Sequence, residues 1–317
     1  MPYQLATSVH FRYDEVAAGK VNFFENLDRI LRAGFTNLDF NFLDMIHPDA
    51  PFLQEDYRDW IYRCRDHIHA RHARWVQAHS LFIRPKDDFS YAKKMVRRSL
   101  ECCAILGIPW TVMHHIWDPS WIFGTHEDPA EFNYRVFSEL METAEQYKVG
   151  IAIENTSFPF YEGQEFHRSL ESLLTLVDRL NSPYAGVCWD VGHGNINSVF
   201  PDCKEIAVQS NSLKAIGSRL KATHIHDNNA KMYPVLPDTI DRWDGWTALA
   251  YDEHIAPYQG TVDWDDVIAG LDAIGYDHYF TFEAHRAINS LPDPLVDDAM
   301  QHLRKVGEVL VAKSTLR

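Results

Sequence analysis

The chain has 317 residues, 46% of them hydrophobic, and its 30 Lys and Arg against 45 Asp and Glu give a formal net charge of −15. That field repels polyanions and argues against nucleic acid or an anionic membrane surface as partners, whereas small neutral molecules are accommodated easily. No apolar run is long enough to span a bilayer and MPYQLATSVHFRYD lacks the layout of a secretory signal, so a cytoplasmic protein is expected. The odd cysteine count (Cys64, Cys102, Cys103, Cys188, Cys203), without zinc-ribbon spacing, agrees with that.

A first strand is predicted from about Gln4 to His10. The stretch NFFENLDRILRAG follows, with Phe24, Leu27, Ile30 and Leu31 on one helical face and Gly34 as its stop. TNLDFNF reads as the second strand, and a helix from about Glu55 to Arg71 leads to a third strand ending at His79. A helix from Tyr91 to Leu106 carries Cys102 and Cys103 into or near the core and stops at Gly107, before the strand to His114. The next helix, about Ala130 to Lys148, stops near Gly150, and its strand ends at Glu154. A helix from about Phe166 to Leu180 precedes the strand to Asp190, which contains Cys188. Another, about Lys204 to Arg219, precedes the strand to His224 and His226. DWDDVIAGLDAIG forms a helix between Asp263 and Gly275, HYFTFE is the eighth strand, and a last helix spans about Pro294 to Ala312.

Eight alternations of apolar strand and helix predict an α/β fold, a closed (β/α)8 TIM barrel forming a single domain over residues 1–317. An open doubly wound sheet is the alternative, but no GxGxxG loop follows the first strand. One stretch breaks the rhythm. Asn228 to Gly260, after strand 7, holds three prolines, two tryptophans and five acidic residues, and reads as a lid or substrate wall. Asp39, His79, His114, Glu154, Asp190, His224, His226 and Glu283 fall at or near strand ends, which a parallel barrel gathers at one mouth. Carboxylates and imidazoles converging there suit a divalent metal with open coordination positions, and therefore catalysis. Arg286, three residues beyond Glu283, reaches a substrate oxygen or lies on the surface. Trp117, Trp121, Phe158, Phe160, Tyr161, Trp243 and Trp246 fall in loops after strands and suggest an apolar wall against a sugar ring.

IENTS at 153–157, WDVGH at 189–193, HIHDN at 224–228 and FEAH at 282–285 resemble the signature segments of the xylose isomerase-like barrels. That group holds sugar isomerases and epimerases, inosose dehydratases and isomerases, and family 2 apurinic endonucleases. The resemblance runs through nearly the whole chain in order and spacing. It implies that Glu154, Asp190, His224 and Glu283 ligate one divalent metal, His224 being preferred to His226 because the family ligand stands three residues before an Asp, here Asp227. Three carboxylates and one imidazole make a hard site that favours Mn²⁺, Mg²⁺ or Co²⁺ and tolerates Zn²⁺. His193 matches a residue that touches a substrate oxygen in sugar-processing relatives and binds a further metal in the endonucleases; it is read here as substrate-binding, with a solvated loop histidine as the alternative. His226 contacts substrate or bonds within the mouth. His79 and His114 match further endonuclease metal histidines that also occur in single-metal sugar enzymes, and are read here as substrate-binding, with His115 the neighbour that competes to point inward. Asp252-Glu253-His254 resembles an Asp-x-His that binds metal in the endonucleases before a Pro-Gly-x-Gly turn. Here Tyr258 replaces the glycine, and about 24 residues separate Asp227 from Asp252.

These features point to a metal-dependent sugar or cyclitol isomerase or epimerase in which Glu154 and Glu283 move a proton beside a carbonyl through an enediolate. The expected substrate is a small sugar or polyol, with no nucleic acid or membrane partner and a homo-oligomer left open. The alternatives are a keto-sugar or inosose dehydratase using the same enolate, an endonuclease-type phosphodiesterase with several metals, and an inert barrel that only binds a partner.

Overall fold

Eight parallel strands close into a barrel in chain order, the eighth pairing with the first. They are β1 (Gln4–Ser8), β2 (Asn37–Asn41), β3 (Arg74–His79), β4 (Trp110–His114), β5 (Gly150–Glu154), β6 (Ala185–Asp190), β7 (Leu220–Ile225) and β8 (Tyr279–Phe282). A computed structural model of the chain describes residues 3–11, 22–45, 47–83, 89–116, 128–157, 165–200, 203, 206–231 and 252–316. Between the strands run helices α1 (Phe23–Arg32), α2 (Tyr57–His69), α3 (Phe89–Leu106), α4 (Pro129–Tyr147), α5 (Leu170–Leu180), α6 (Val191–Asn197), α7 (Gln209–Ile216) and α8 (Trp264–Ala273), with α9 (Asp293–Val311) after β8. None of the described helices is long and apolar enough to cross a membrane.

Strand side chains alternate, so residues two apart share a face. Glu154, Asp190 and His224 therefore stand one layer above Ala152, Cys188 and Ala222. Those three pack with Val112 into a small apolar cluster that Trp110 partly covers. Gly150 makes room for that tryptophan: a Cβ there would lie 2.1 Å from the Trp110 ring. The larger core lies between strands and helices and takes in Leu27 and Ile30 of α1, Cys102 and Cys103 of α3, and Phe280 and Phe282 of β8.

Several boundaries differ from the sequence expectation for local reasons. β1 stops at Ser8, whose hydroxyl accepts the His10 amide at 3.2 Å in a tight turn. β2 ends at Asn41, so Asp39 is a mid-strand residue, fully buried rather than at a strand end. α4 is closed by Lys148 in the left-handed region (φ 56°), which leaves Gly150 to start β5. The helix expected from Phe166 to Leu180 is broken at Ser169, whose hydroxyl caps α5 by accepting the Ser172 amide. The stretch before β7 forms α7 and a 3-10 turn, Gly217–Arg219. α6 has no counterpart in the sequence reading, since VGHGNIN is short and holds two glycines that weaken any helical signal.

Of the long segment after β7, residues 232–251 lie outside the described residues, and with them Trp243 and Trp246. Its far end is pinned. Asp227 and Ile255 exchange two backbone bonds of 2.8 and 3.1 Å. The Asp227 carboxylate also accepts the amides of Asn228, Val262 and Tyr258 and the indole N–H of Trp264, at 2.9, 3.1, 3.0 and 3.0 Å. Tyr258, standing where the resemblance has glycine, takes a left-handed φ of 72°. Asp227→Ala strands these donors in a buried place. It is expected to lower stability by about 3 kcal/mol, read as a fall in the urea midpoint that Asp277→Ala, at an exposed position, does not produce.

Candidate metal centre

Each strand end delivers its side chain to the mouth through a local device. Asn155, directly after Glu154, clamps the end of β6: its side-chain oxygen accepts the Asp190 amide at 2.7 Å and its amide donates to the Asp190 carbonyl at 2.9 Å. Asp190 then caps α6, its Oδ1 accepting the His193 amide at 2.6 Å, which turns His193 inward instead of leaving it in a solvated turn. His226 follows the last residue of β7 and seats against Gly192, where a Cβ would lie 2.0 Å from the imidazole. The sequence reading assigned no role to Asn155 or Gly192; their signal was only that they adjoin the strand-end acids in IENTS and WDVGH.

Of four overlapping groups of possible ligands among the described residues, one sets Cys188 beside Glu154 and His224, and the other three contain only imidazoles and carboxylates. The first of these three joins Glu154, Asp190, His224 and Glu283, all buried. His224 Nδ1 lies 3.0 Å from Glu154 Oε1, 3.5 Å from Glu283 Oε2 and 3.9 Å from Asp190 Oδ2. A single ring nitrogen faces three carboxylates there. The second joins His193, His226, Asp252 and His254. His193 Nδ1 meets the Asn155 carbonyl at 2.9 Å and His254 Nδ1 meets the Glu283 carbonyl at 2.7 Å. A carbonyl only accepts, so both Nδ1 atoms carry the proton. The two Nε2 atoms then turn toward the same Asp252 Oδ2, at 3.3 and 2.9 Å. His226 Nε2 is shared between Asp190 Oδ1 at 3.0 Å and Asp252 Oδ1 at 3.7 Å. The third joins His79, His114 and Glu154. His79 Nδ1 donates to the Ser80 carbonyl at 2.8 Å, and its Nε2 faces His114 Nε2 at 3.3 Å.

The donor set fits a cation on two counts. Histidines whose outer nitrogen is tied to a backbone carbonyl are oriented as metal ligands usually are. Buried acceptors also remain unmet: Glu154 Oε2 and Asp252 Oδ1 have no hydrogen-bond partner among the described residues. Glu154 Oε2 does lie 3.0 Å from His114 Nε2, but without the alignment of a hydrogen bond.

The electrostatics are those of acids held ionised by imidazoles. Burial alone would raise Glu154, yet the facing His224 and His114 hold it well below the usual carboxylate range. Glu283 behaves likewise, burial being outweighed by His224 and His79, and falls to about 2. For Asp252, His254 and His193 overcome burial in the same way. Deeper in the barrel, Asp39 has weaker compensation from His224 and burial lifts it to about 7. Asp39 therefore lies beneath the mouth, taking a 3.4 Å bond from Gln77, and does not join the cluster.

The remaining sequence candidates separate. His115 is buried with its pKa lowered to about 4 by desolvation and His114; it joins none of the three groups, whereas His114 does. Arg286 turns back to the protein, its Nη1 donating to the Asp252 carbonyl. Asp252 and Glu253 are not free acids on the rim: Asp252 is buried among histidines, and Glu253 holds the amide and side chain of Asn229. Trp117, Trp121, Phe158, Phe160 and Tyr161 lie outside the described residues.

The sequence pattern of the xylose isomerase-like TIM barrels matches residues 27–306. The chain belongs to that family. Two curated relatives are the uncharacterized protein MJ1311 of Methanocaldococcus jannaschii, 29% identical over 151 residues, and the uncharacterized protein y4fM of Sinorhizobium fredii, 27% identical over 192. The matches cover 48% and 60% of this chain, which thus spans 42% and 51% of those relatives' length. Among solved structures, an L-ribulose 3-epimerase superposes with a TM-score of 0.69 at 14% identity over 98% of this chain and 95% of its own. The IOLI protein with a bound zinc atom gives 0.67 at 18% over 99% and 100%. A D-tagatose 3-epimerase-like protein gives 0.65 at 19% over 98% and 99%. At these identities the likeness shows the fold.

Proposed function

We propose that the protein is a metal-dependent isomerase or epimerase of small sugars or cyclitols, working by proton transfer beside a carbonyl. The observation that carries the reading is the placing of Glu154 and Glu283 on the same imidazole, Oε1 and Oε2 lying 3.0 and 3.5 Å from His224 Nδ1. Two ionised carboxylates converge on one small volume, and among the described residues neither forms an ion pair with an arginine or lysine. Glu154, Asp190, His224 and Glu283 would hold the ion, which supplies Lewis-acid stabilisation of negative charge on the oxygen next to the reacting carbon. Of the two glutamates, one takes the proton from the carbon beside the carbonyl, and the other, after drawing a proton from solvent, delivers it to the enediolate; delivery to the opposite face of the same carbon gives the epimer, and delivery to the former carbonyl carbon gives the isomer. Their low pKa makes each an acceptor at neutral pH. His193, whose pKa burial would lower but Asp190 and Asp252 hold well above the ordinary imidazole value, sets its Nδ1 3.4 Å from Glu154 Oε1. An L-ribulose 3-epimerase and a D-tagatose 3-epimerase-like protein of similar fold agree with this chemistry.

The test is solvent exchange. Protein loaded with Mn²⁺ or Co²⁺ in deuterium oxide is expected to place deuterium beside the carbonyl of a ketose, read by NMR. No exchange into any member of a panel of ketopentoses and ketohexoses would remove the reading.

A second reading, hydrolysis of a phosphodiester, is favoured by the grouping of His193, Asp252 and His254 and by that of His79 and His114 on Glu154. It requires several ions. Binding a duplex also requires neutralising several phosphates with Lys and Arg, which a net charge of −15 opposes. Nicking of an abasic-site oligonucleotide at low salt with Zn²⁺ or Mn²⁺ would select it.

A further inference from the structure

We infer that His10, Asp44 and His285 form a second subsite at the mouth that receives an uncharged, hydroxyl-bearing end of the substrate, an inference that rests on the sugar reading above. These residues follow β1, β2 and β8, which are neighbours in the barrel. The motifs at the metal centre do not include His10 or Asp44. His10 Nδ1 lies 2.8 Å from Asp44 Oδ2 and is also met by the side-chain amide of Asn41, so that the ring is held from two sides. The His285 ring packs edge-on to His10 at 3.9 Å and against His254 at 4.8 Å. His254 in turn reaches the Glu283 side chain at 4.0 Å. The subsite is thus continuous with the metal centre, and one sugar-sized molecule can touch both.

The chemistry identifies the ligand class. His285 is only 7% exposed, and its Nδ1 has no hydrogen-bond partner among the described residues. Leaving a buried polar atom unmet costs about 1–3 kcal/mol, so the position calls for a polar partner. Asp44 is pushed upward by burial and drawn back by His10. A hydroxyl both donates and accepts, and so suits a carboxylate beside an imidazole nitrogen that lacks a partner. A phosphate or carboxylate would instead meet Asp44 and Glu283. The guanidinium next in sequence, Arg286, is turned to the Asp252 carbonyl. The subsite therefore selects unphosphorylated, polyol-like substrates.

Calorimetric titration of the metal-loaded protein with a hexitol and with its monophosphate tests this without turnover. The hexitol is expected to bind the parent protein more tightly than the phosphate ester. Asp44→Asn and His285→Gln are each expected to weaken hexitol binding about tenfold or more, with metal content and melting temperature unchanged. Asp44 sits at the rim with its side chain 14% exposed, so its amide variant is a mild change, and His285→Gln tests the same subsite from β8. Equal hexitol binding by parent and both variants, tighter binding of the phosphate ester, or no hexitol binding by the parent overturns the subsite. Failure of deuterium exchange together with Asp44-dependent hexitol binding would instead sink the proton-transfer reading and leave the subsite standing.

Discussion

Glu283→Gln is expected to give a folded barrel whose exchange of a ketose proton with solvent is slower by about three orders of magnitude, the scale of losing a positioned base. Its fold should survive because the part of Glu283 that other residues hold is the backbone: its carbonyl accepts His254 Nδ1 at 2.7 Å and its amide donates to the Ile225 carbonyl at 3.1 Å. The side chain is buried and ionised, with a pKa near 2 against the pull of desolvation, and an amide of equal size removes only the charge and the proton acceptor. Glu154→Gln should be more damaging. Glu154 Oε1 lies 3.0 Å from His224 Nδ1 and Oε2 lies 3.0 Å from His114 Nε2, so one carboxylate serves two of the ligand groups. An amide offers one acceptor where both are needed, and its NH₂ must face an imidazole. That variant should lose bound metal as well as turnover. The measurement pairs exchange rates with metal content and melting temperature. Substantial exchange in both variants, with metal retained, would place the acid and base elsewhere.

The barrel was legible because its signal is repeated. Apolar strands about 35 residues apart put Glu154, Asp190 and His224 at the ends or last turns of β5, β6 and β7, and a repeat of eight tolerates errors of two or three residues at any one boundary. What stayed illegible was contact between side chain and backbone across large separations. Nothing in the spacing tells that Asn155 grips Asp190, that Gly192 makes space for His226, or that His193 Nδ1 reaches the Asn155 carbonyl from 38 residues away. Asp252 and His254 illustrate the same limit. Their distance from Asp227 in sequence departs from the endonuclease pattern, yet the two backbone bonds between Asp227 and Ile255 fold the segment back so that both side chains enter the cluster. Asp252, one of the five acidic residues of the segment after strand 7, is buried and paired rather than free at the rim. The electrostatic case against nucleic acid accordingly leans on the net charge of the chain. His10 closed the predicted first strand without a motif to mark it, and Asp44 is a single residue in a loop with no period around it.

Protein purified without chelator is expected to carry one tightly held divalent ion per chain, lost in Asp190→Ala and His224→Ala and kept in His193→Ala. The three ligand groups are not equal. Glu154, Asp190, His224 and Glu283 bring three carboxylates together with a single imidazole, leaving an excess of negative charge that a divalent cation relieves. In the second group His226 Nε2 is already engaged with Asp190 Oδ1 at 3.0 Å, so it orients a ligand of the first group, and one carboxylate, Asp252, is left with the imidazoles of His193 and His254. The third group, His79 and His114, borrows its only carboxylate, Glu154, from the first. Charge therefore ranks the first group ahead. Removing Asp190 takes out an oxygen ligand and the cap of α6 together, so affinity should fall beyond the roughly 10–100-fold typical of losing an outer partner. Measured stoichiometry is decisive in either direction. Two or three ions per chain, with one lost in His193→Ala or His254→Ala and another in His79→Ala, would mean that all three groups fill. The chemistry would then be water activation between ions, and the phosphodiester reading would displace proton transfer beside a carbonyl.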